Sequence, residues 1–167
     1  MNVDIKPITL DDTDNIVKWR NTSFVLNNFI DQNPITKESH IGYFKSRIET
    51  GKVKQFIIVC DDNDIGTIFL RDVDFEKKSA EYGIFIGEKD YLGKGIAIIS
   101  SKKILDYAFN DLKLEKVFLR VLERNANAIK SYKNIGFVLD EYFETVKIND
   151  VDEKVVFMSI TKEMFLL

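Results

Sequence analysis

Apolar and polar positions change their spacing several times along this chain, and each change marks an element. "VDIKPI" alternates and predicts a short first strand. "DDTDNIVKWRN" switches to helical spacing, with Ile16, Val17 and Trp19 apolar and Asp11 or Asp12 near the start as cap. "TSFVLNNFIDQNP" reads as irregular chain or a short second helical piece. Thr36 is placed to cap the helix "KESHIGYFKSRIE", in which Ile41, Phe44 and Ile48 form an apolar stripe and which stops before Gly51.

Strands come next. "QFIIVC" and "TIFLRDVDF" read as a hairpin turning over "DDNDIG", and "AEYGIFI" follows a further turn at "EKK". Gly83 inside that third strand predicts a bulge or a close backbone approach. After "GEKDYLGKG" come a long helix, "IAIISSKKILDYAFNDL", a strand, "KVFLRVL", and a helix, "NANAIKSYKNIG", ended by Gly136. The chain closes on a hairpin of "FVLDEYFETVKI" and "VVFMSITK", with "NDVDEK" as its turn. The order predicts an α+β fold on a mixed sheet, as a single domain over residues 1–167.

Composition narrows the function classes. The chain has 167 residues with 45% hydrophobic and 31% charged content, enough for a real core. Net charge is −3 and the lysines are scattered among acids, so no concentrated basic face points to a nucleic-acid partner. No apolar run approaches the ~18 residues of a membrane span, and "MNVDIKPITLDD" has no signal-peptide core, so no membrane role is expected. Cys60, the lone cysteine, fits a reducing cytoplasm, and its neighbours "FIIVC" predict a buried strand position rather than a reactive thiol. With one histidine and no paired ligand spacing, no metal site is expected. No Gly-x-Ser-x-Gly or Cys–His arrangement points to hydrolysis.

The chemistry concentrates around "YLGKGIA" at residues 91–97. Gly93 and Gly95 can take positive φ and admit a ligand to the backbone, and the following helix start offers free N–H groups and partial positive charge to an anion. Lys94 adds charge. Alone, the loop reads first as a turn entering a helix. It stands, however, between a strand holding Gly83 and the downstream "RNANAIKSYKNIGF". That order resembles the GNAT superfamily of acyl-CoA N-acyltransferases over nearly the whole chain. "NANAIKSYKNIGF" matches the family's Asn-x-x-Ala/Ser-x-x-x-Tyr-x-x-x-Gly-Phe pattern, and "LGKGIA" departs from the loop motif only at Leu92, a position that contributes mainly its backbone.

The resemblance implies a mixed, mostly antiparallel sheet with a V-shaped splay between the fourth and fifth strands, flanked by helices. It implies acetyl-CoA as co-substrate, its pyrophosphate wrapped by the backbone of Leu92, Gly93, Lys94, Gly95, Ile96 and Ala97. Its pantetheine arm would pair with the backbone of Ile84, Phe85 and Ile86, and Asn125 would hydrogen-bond that arm. Tyr132 takes the general-acid position, and an N–H at Ile84 or Phe85 would stabilise charge on the thioester oxygen. For the base, Glu81 stands two residues before Gly83 and reads either as a proton acceptor or as a solvent-facing strand residue. In the ribosomal alanine acetylases a glutamate precedes the tyrosine by twelve positions. Arg120 stands there in this chain, so that branch's mechanism does not carry over. His40, the only histidine, is a second base candidate against the commoner role of an exposed helical side chain.

Acceptor choice in this superfamily falls largely to the segment between the early helices, here "WRNTSFVLNNFIDQNPIT". Asp31 is its only acid, which argues against a polyamine such as spermidine. Trp19, Arg20, Asn21, Phe24 and Phe29 suit a nucleotide-linked amino sugar, by stacking, diphosphate pairing and hydrogen bonds to hydroxyls. "IVKWRN" followed by phenylalanine is also similar to the nucleotide-amino-sugar N-acetyltransferases of the bacterial pseudaminic-acid pathway. The plain alternative makes Trp19 a core residue and Arg20 a surface or helix-end charge. The expected partner is thus a small-molecule amine or a peptide N-terminus. Other readings are a protein N-terminal acetyltransferase and a non-catalytic acyl-CoA-binding module. The final hairpin would allow a homodimer through its edge strand.

Overall fold

The computed structural model describes residues 1–166. Seven strands form one sheet in the order β1-β2-β3-β4-β5-β7-β6. They are β1 Val3–Pro7, β2 Lys54–Cys60, β3 Asn63–Asp74, β4 Ser79–Ile86, β5 Lys116–Leu122, β6 Val138–Ile148 and β7 Val151–Thr161. Every neighbouring pair is antiparallel except β4 and β5. A parallel pair needs a crossover, and α4 (Ile96–Asp106) supplies it. The fold is therefore the mixed, mostly antiparallel α+β arrangement expected from the sequence.

Helices cover both faces. Along β2, Ile57 packs with Ile16 and Trp19 of α1 (Thr13–Arg20) and with Phe44, just beyond α3 (Lys37–Tyr43). The next residue, Ile58, joins the larger cluster with Ile104 and Leu105 of α4 and Ile135 of α5 (Ala126–Ile135). The two-residue period of a strand sends neighbours to opposite faces. A short α2 (Ser23–Leu26) follows α1, and α6 (Lys162–Leu166), not foreseen from the sequence, ends the described chain.

Two hairpins turn more tightly than their polar stretches predict. Asp61 and Asp62 join β2 to β3, and Asn149 and Asp150 join β6 to β7, all with positive φ (48°, 67°, 50° and 64°). Left-handed pairs match the twist of the flanking strands, and Asp and Asn tolerate that conformation. The strands run on into the polar positions, which face solvent. Thr36 caps α3 as expected, its Oγ accepting from Ser39 N at 3.0 Å. The helix then widens into a π turn over Phe44–Ile48. The buried face of this segment centres on His40 and Phe44, while Ile41 and Ile48 are half-buried.

β4 pairs with β5 over three rungs only, from Ser79↔Lys116 to Glu81↔Phe118. Beyond Glu81 the two strands part, while β4 stays paired with β3 as far as Gly66↔Ile86. This is the predicted splay. The expected bulge is not at Gly83, since the β3–β4 register holds from Ile86 to Glu81 and slips only between Arg71 and Asp74. Gly83 makes a close approach instead: a Cβ there would stand 2.3 Å from the Phe69 ring.

Candidate active site

Where β4 and β5 diverge, a cavity of about 1030 Å³ opens between the early helices, the exposed edge of β4 and the start of α5. Of the residues singled out from the sequence, it brings together Arg20, Phe24 and Phe29 at one end and Glu81, Ile84, Phe85 and Ile86 along β4. Leu92, Ala97, Asn125 and Tyr132 stand at the other end.

That other end is built for an anion and an extended chain. Gly93 and Gly95 have φ of 73° and 77°, with open space where a Cβ would stand. Gly95 is the N-cap of α4, so the first N–H groups of an 11-residue helix face the loop without partners in the helix. Ile96 itself is core; only its backbone N–H is available to the loop. Lys94 is exposed, its Nζ 5.7 Å from the centre of the Tyr91 ring. Along β4, residues after Glu81 have one edge free of β5, as an added strand would require. These features fit an acyl-CoA: donors for its pyrophosphate and an open strand edge for its arm.

Asn125 caps α5, its Oδ1 accepting from Ala128 N at 3.4 Å while the residue lines the cavity. Tyr132 lies one helical stretch further on. Its ring meets Tyr82 edge-on at 5.9 Å and Phe137 at 6.1 Å. Burial pushes its phenol up to about 12. Full proton transfer to a thiolate of pKa ~8.5 is then uphill by roughly 5 kcal/mol, so the phenol is better suited to donating a hydrogen bond than to giving up its proton.

Glu81 does not face solvent; it is 6% exposed. Its Oε2 accepts from Arg71 Nη2 at 2.6 Å, directly across the β3–β4 rung, and from Arg120 Nε at 3.2 Å across the splay. The arginine found in place of a glutamate at position 120 is thus the partner of the glutamate at 81. A carboxylate held by two guanidiniums is a positioned charge.

Other expectations are corrected by the packing. Trp19 is 1% exposed and outside the cavity wall. Its ring lies where a Cβ on Gly87 would stand (2.2 Å), and its Nε1 donates to Glu88 at 2.9 Å. Asn21 is also outside the wall and ties the loop back, bonding both Ile35 N and Ile35 O. Arg20 does end α1, but it is no surface charge: it is buried, with its guanidinium 3.8 Å above the Phe29 ring. His40, expected to be exposed, is buried in the wall, and burial lowers its pKa despite the opposing charge of Asp12. Its i, i+4 relation to Phe44 carried the signal, hidden by the nearby Ile41 stripe. Tyr43, Ser39 and Gln55 also reach the wall and carried no mark in the sequence.

Comparison with known proteins agrees with this geometry. The acetyltransferase (GNAT) domain family matches residues 2–138. The spermidine N(1)-acetyltransferase of Escherichia coli is 29% identical over 124 residues, covering 74% of this chain and 66% of that protein, just under two thirds of its length. The acetyltransferase PseH of Campylobacter jejuni is 32% identical over 124 residues, covering 74% of this chain and 75% of that one. Among solved structures, spermidine N-acetyltransferase from Vibrio cholerae in complex with CoA and spermine superposes with a TM-score of 0.91 at 24% identity, over 99% of this chain and 98% of that one.

Proposed function

This chain belongs to the GNAT acetyltransferase family, and we propose that it transfers an acetyl group from acetyl-CoA to a primary amine held in the splayed cleft. The observation that carries the reading is the splay itself. β4 leaves β5 after Glu81, freeing a strand edge that runs toward the glycine loop, with Tyr132 in the same cavity wall. Bound acetyl-CoA supplies the activated thioester. The loop from Leu92 to Ala97 holds its pyrophosphate, and the Ile84–Ile86 backbone aligns its arm with Asn125 opposite. A β4 N–H at Ile84 or Phe85 stabilises charge on the acyl oxygen, and Tyr132 donates a hydrogen bond to the departing sulfur. Glu81, locked by Arg71 and Arg120, orients the floor of the cavity. The acceptor amine must arrive neutral, and its proton leaves by water or a neighbouring group in the wall. We take residues 1–167 as one domain, because β6 and β7 beyond the family match complete the same sheet.

For the acceptor, likeness favours spermidine, named for relatives from Escherichia coli and Vibrio cholerae, over the nucleotide-linked amino sugar expected from the sequence. A peptide N-terminus and binding without turnover are the other readings. Release of CoA from acetyl-CoA, followed with spermidine, a nucleotide-linked amino sugar and an N-terminal alanine peptide, separates them. Turnover with any of the three supports acetyl transfer, and its rank order names the acceptor. CoA binding with no turnover on any amine supports the binding module. Association is part of the same proposal. β6 is an edge strand exposing Val138, Leu139, Tyr142 and Phe143, and we propose that a second copy covers it. A related Vibrio cholerae spermidine N-acetyltransferase is described as dodecameric, at TM-score 0.83 and 25% identity over 98% of this chain and 96% of that one.

A further inference from the structure

Two side-chain atoms among the described residues are buried with no hydrogen-bond partner: Nη1 of Arg20 and Nε2 of His40. Both residues line the same cavity, and they are 8% and 5% exposed. Buried polar groups almost always find partners, in protein, water or ligand, so two orphans in one cavity wall leave two groups free to hold a bound molecule.

Their setting is fixed by the fold. Asn21 binds Ile35, and Lys37 reaches Asp14 at 3.3 Å, so α3 packs beside α1. Arg20 and His40 therefore sit on adjoining helices. The Arg20 guanidinium lies on the Phe29 ring, which meets Phe85 edge-on at 5.6 Å, and Nη2 donates to the Asp31 carbonyl at 2.6 Å. Nη1 is what remains, a donor held in place before any ligand arrives. His40, neutral near pH 7 because burial lowers its pKa, can donate or accept at Nε2 according to tautomer.

The charge of the wall points the same way. Its charged side chains are Arg20, Arg71, Arg120 and Lys147 against Asp31 and Glu81, four cations less two anions, a surplus of two. Glu81 is held by Arg71 and Arg120, Lys147 by Asp152 at 3.0 Å, and Oδ1 of Asp31 accepts from Asn33 N and Nδ2. A polyamine would bring several positive charges to a wall with one carboxylate, Asp31, not already paired with a cation, while Arg20 keeps its own charge.

We infer that the amine accepted here carries an oxyanion, a phosphate or a carboxylate, which seats on Arg20 Nη1 and His40 Nε2. The inference rests on the acetyl-transfer reading and departs from the polyamine named for the relatives. It is tested on the full chain saturated with CoA, so that the glycine loop is occupied. Inorganic phosphate, malonate and spermidine are then titrated calorimetrically. One of the two anions is expected to bind about ten-fold more tightly than spermidine, and the stronger of them identifies the oxyanion. Arg20→Gln should weaken that anion by about ten-fold while leaving CoA affinity unchanged, and His40→Phe should weaken it less. If Arg20→Gln fails to fold, the ranking on the natural chain still decides. Spermidine binding as tightly as both anions, or anion affinity that survives Arg20→Gln, overturns the inference. CoA binding without anion binding removes the inference alone, whereas failure to bind CoA removes the acetyl-transfer reading and the inference with it.

Discussion

Burial pushes the Tyr132 phenol up to about 12. In the donor role proposed for it, Tyr132 would escape the alkaline loss an ordinary tyrosine would cause near pH ~10. The rate should rise as the acceptor amine loses its proton and then hold. A kcat profile from about pH 7 to about pH 10.5 checks this; a fall near pH 10 that Tyr132→Phe abolishes would contradict it. His40 gives a second pH effect, on stability. Its folded pKa is lowered, so below the unfolded value of about 6.5 the unfolded chain binds the extra proton. The stabilisation tied to neutral His40 is present above that value and is lost as pH falls through it, at up to ~1.4 kcal/mol per pH unit. As His40 is the only histidine, His40→Phe should flatten the urea midpoint between about pH 7 and about pH 5.5. An unchanged slope would show that another group titrates there. At this scale the sequence was half legible. "NANAIKSYKNIGF" marked Asn125 and Tyr132, which meet in the cavity. It could not show that Arg71 and Arg120 take Glu81, since residues 71, 81 and 120 converge only through strand pairing.

Elements were read by period, and period succeeded where one face is apolar. The helix after "LGKG" and the strand "KVFLRVL" lie where predicted, as Ile96–Asp106 with a π turn to Asp111, and as Lys116–Leu122. It failed at hairpin ends, where solvated strand residues look like turn, and in α3, where a polar residue sits at the centre of the buried face. Gly83 shows the limit of a composition rule. Glycine in a strand signals either a bulge or a close approach, and only the position of Phe69 decides between them. Gly83→Ala should push that ring toward the cavity and lower stability by about 1–3 kcal/mol in urea unfolding. It should also raise the KM for the amine more than that for acetyl-CoA, because Phe69 lines the wall. Equal effects on the two substrates would mean that the strand, and not the ring, has moved.

Across the whole molecule, the two ends of the sheet are built differently. Helices α1 and α3 pack against β2 at one end, while β7 and β6 extend β5 beyond the point where it leaves β4. The outer strand β6 leaves Tyr142 and Phe143 60% and 52% exposed, a cost a second copy would relieve. Replacing both by lysine should shift the chain toward monomer in light scattering; a natural chain already monomeric at high concentration would end the association proposal. No helix among the described residues is long and apolar enough to cross a membrane. The architecture was legible from element order and one motif. Acceptor chemistry was not, because it depends on which charges meet across α1, β3, β4 and β5, and identity of about 30% to several enzymes does not carry those pairings.

The decisive comparison is Tyr132→Phe against the natural chain at saturating acetyl-CoA with the best amine of the panel. The substitution should lower kcat by about 10²-fold or more with the dissociation constant of acetyl-CoA unchanged. Unchanged kcat, or affinity lost in place of turnover, would contradict the claim that the splayed cleft carries out acetyl transfer with Tyr132 facing the sulfur.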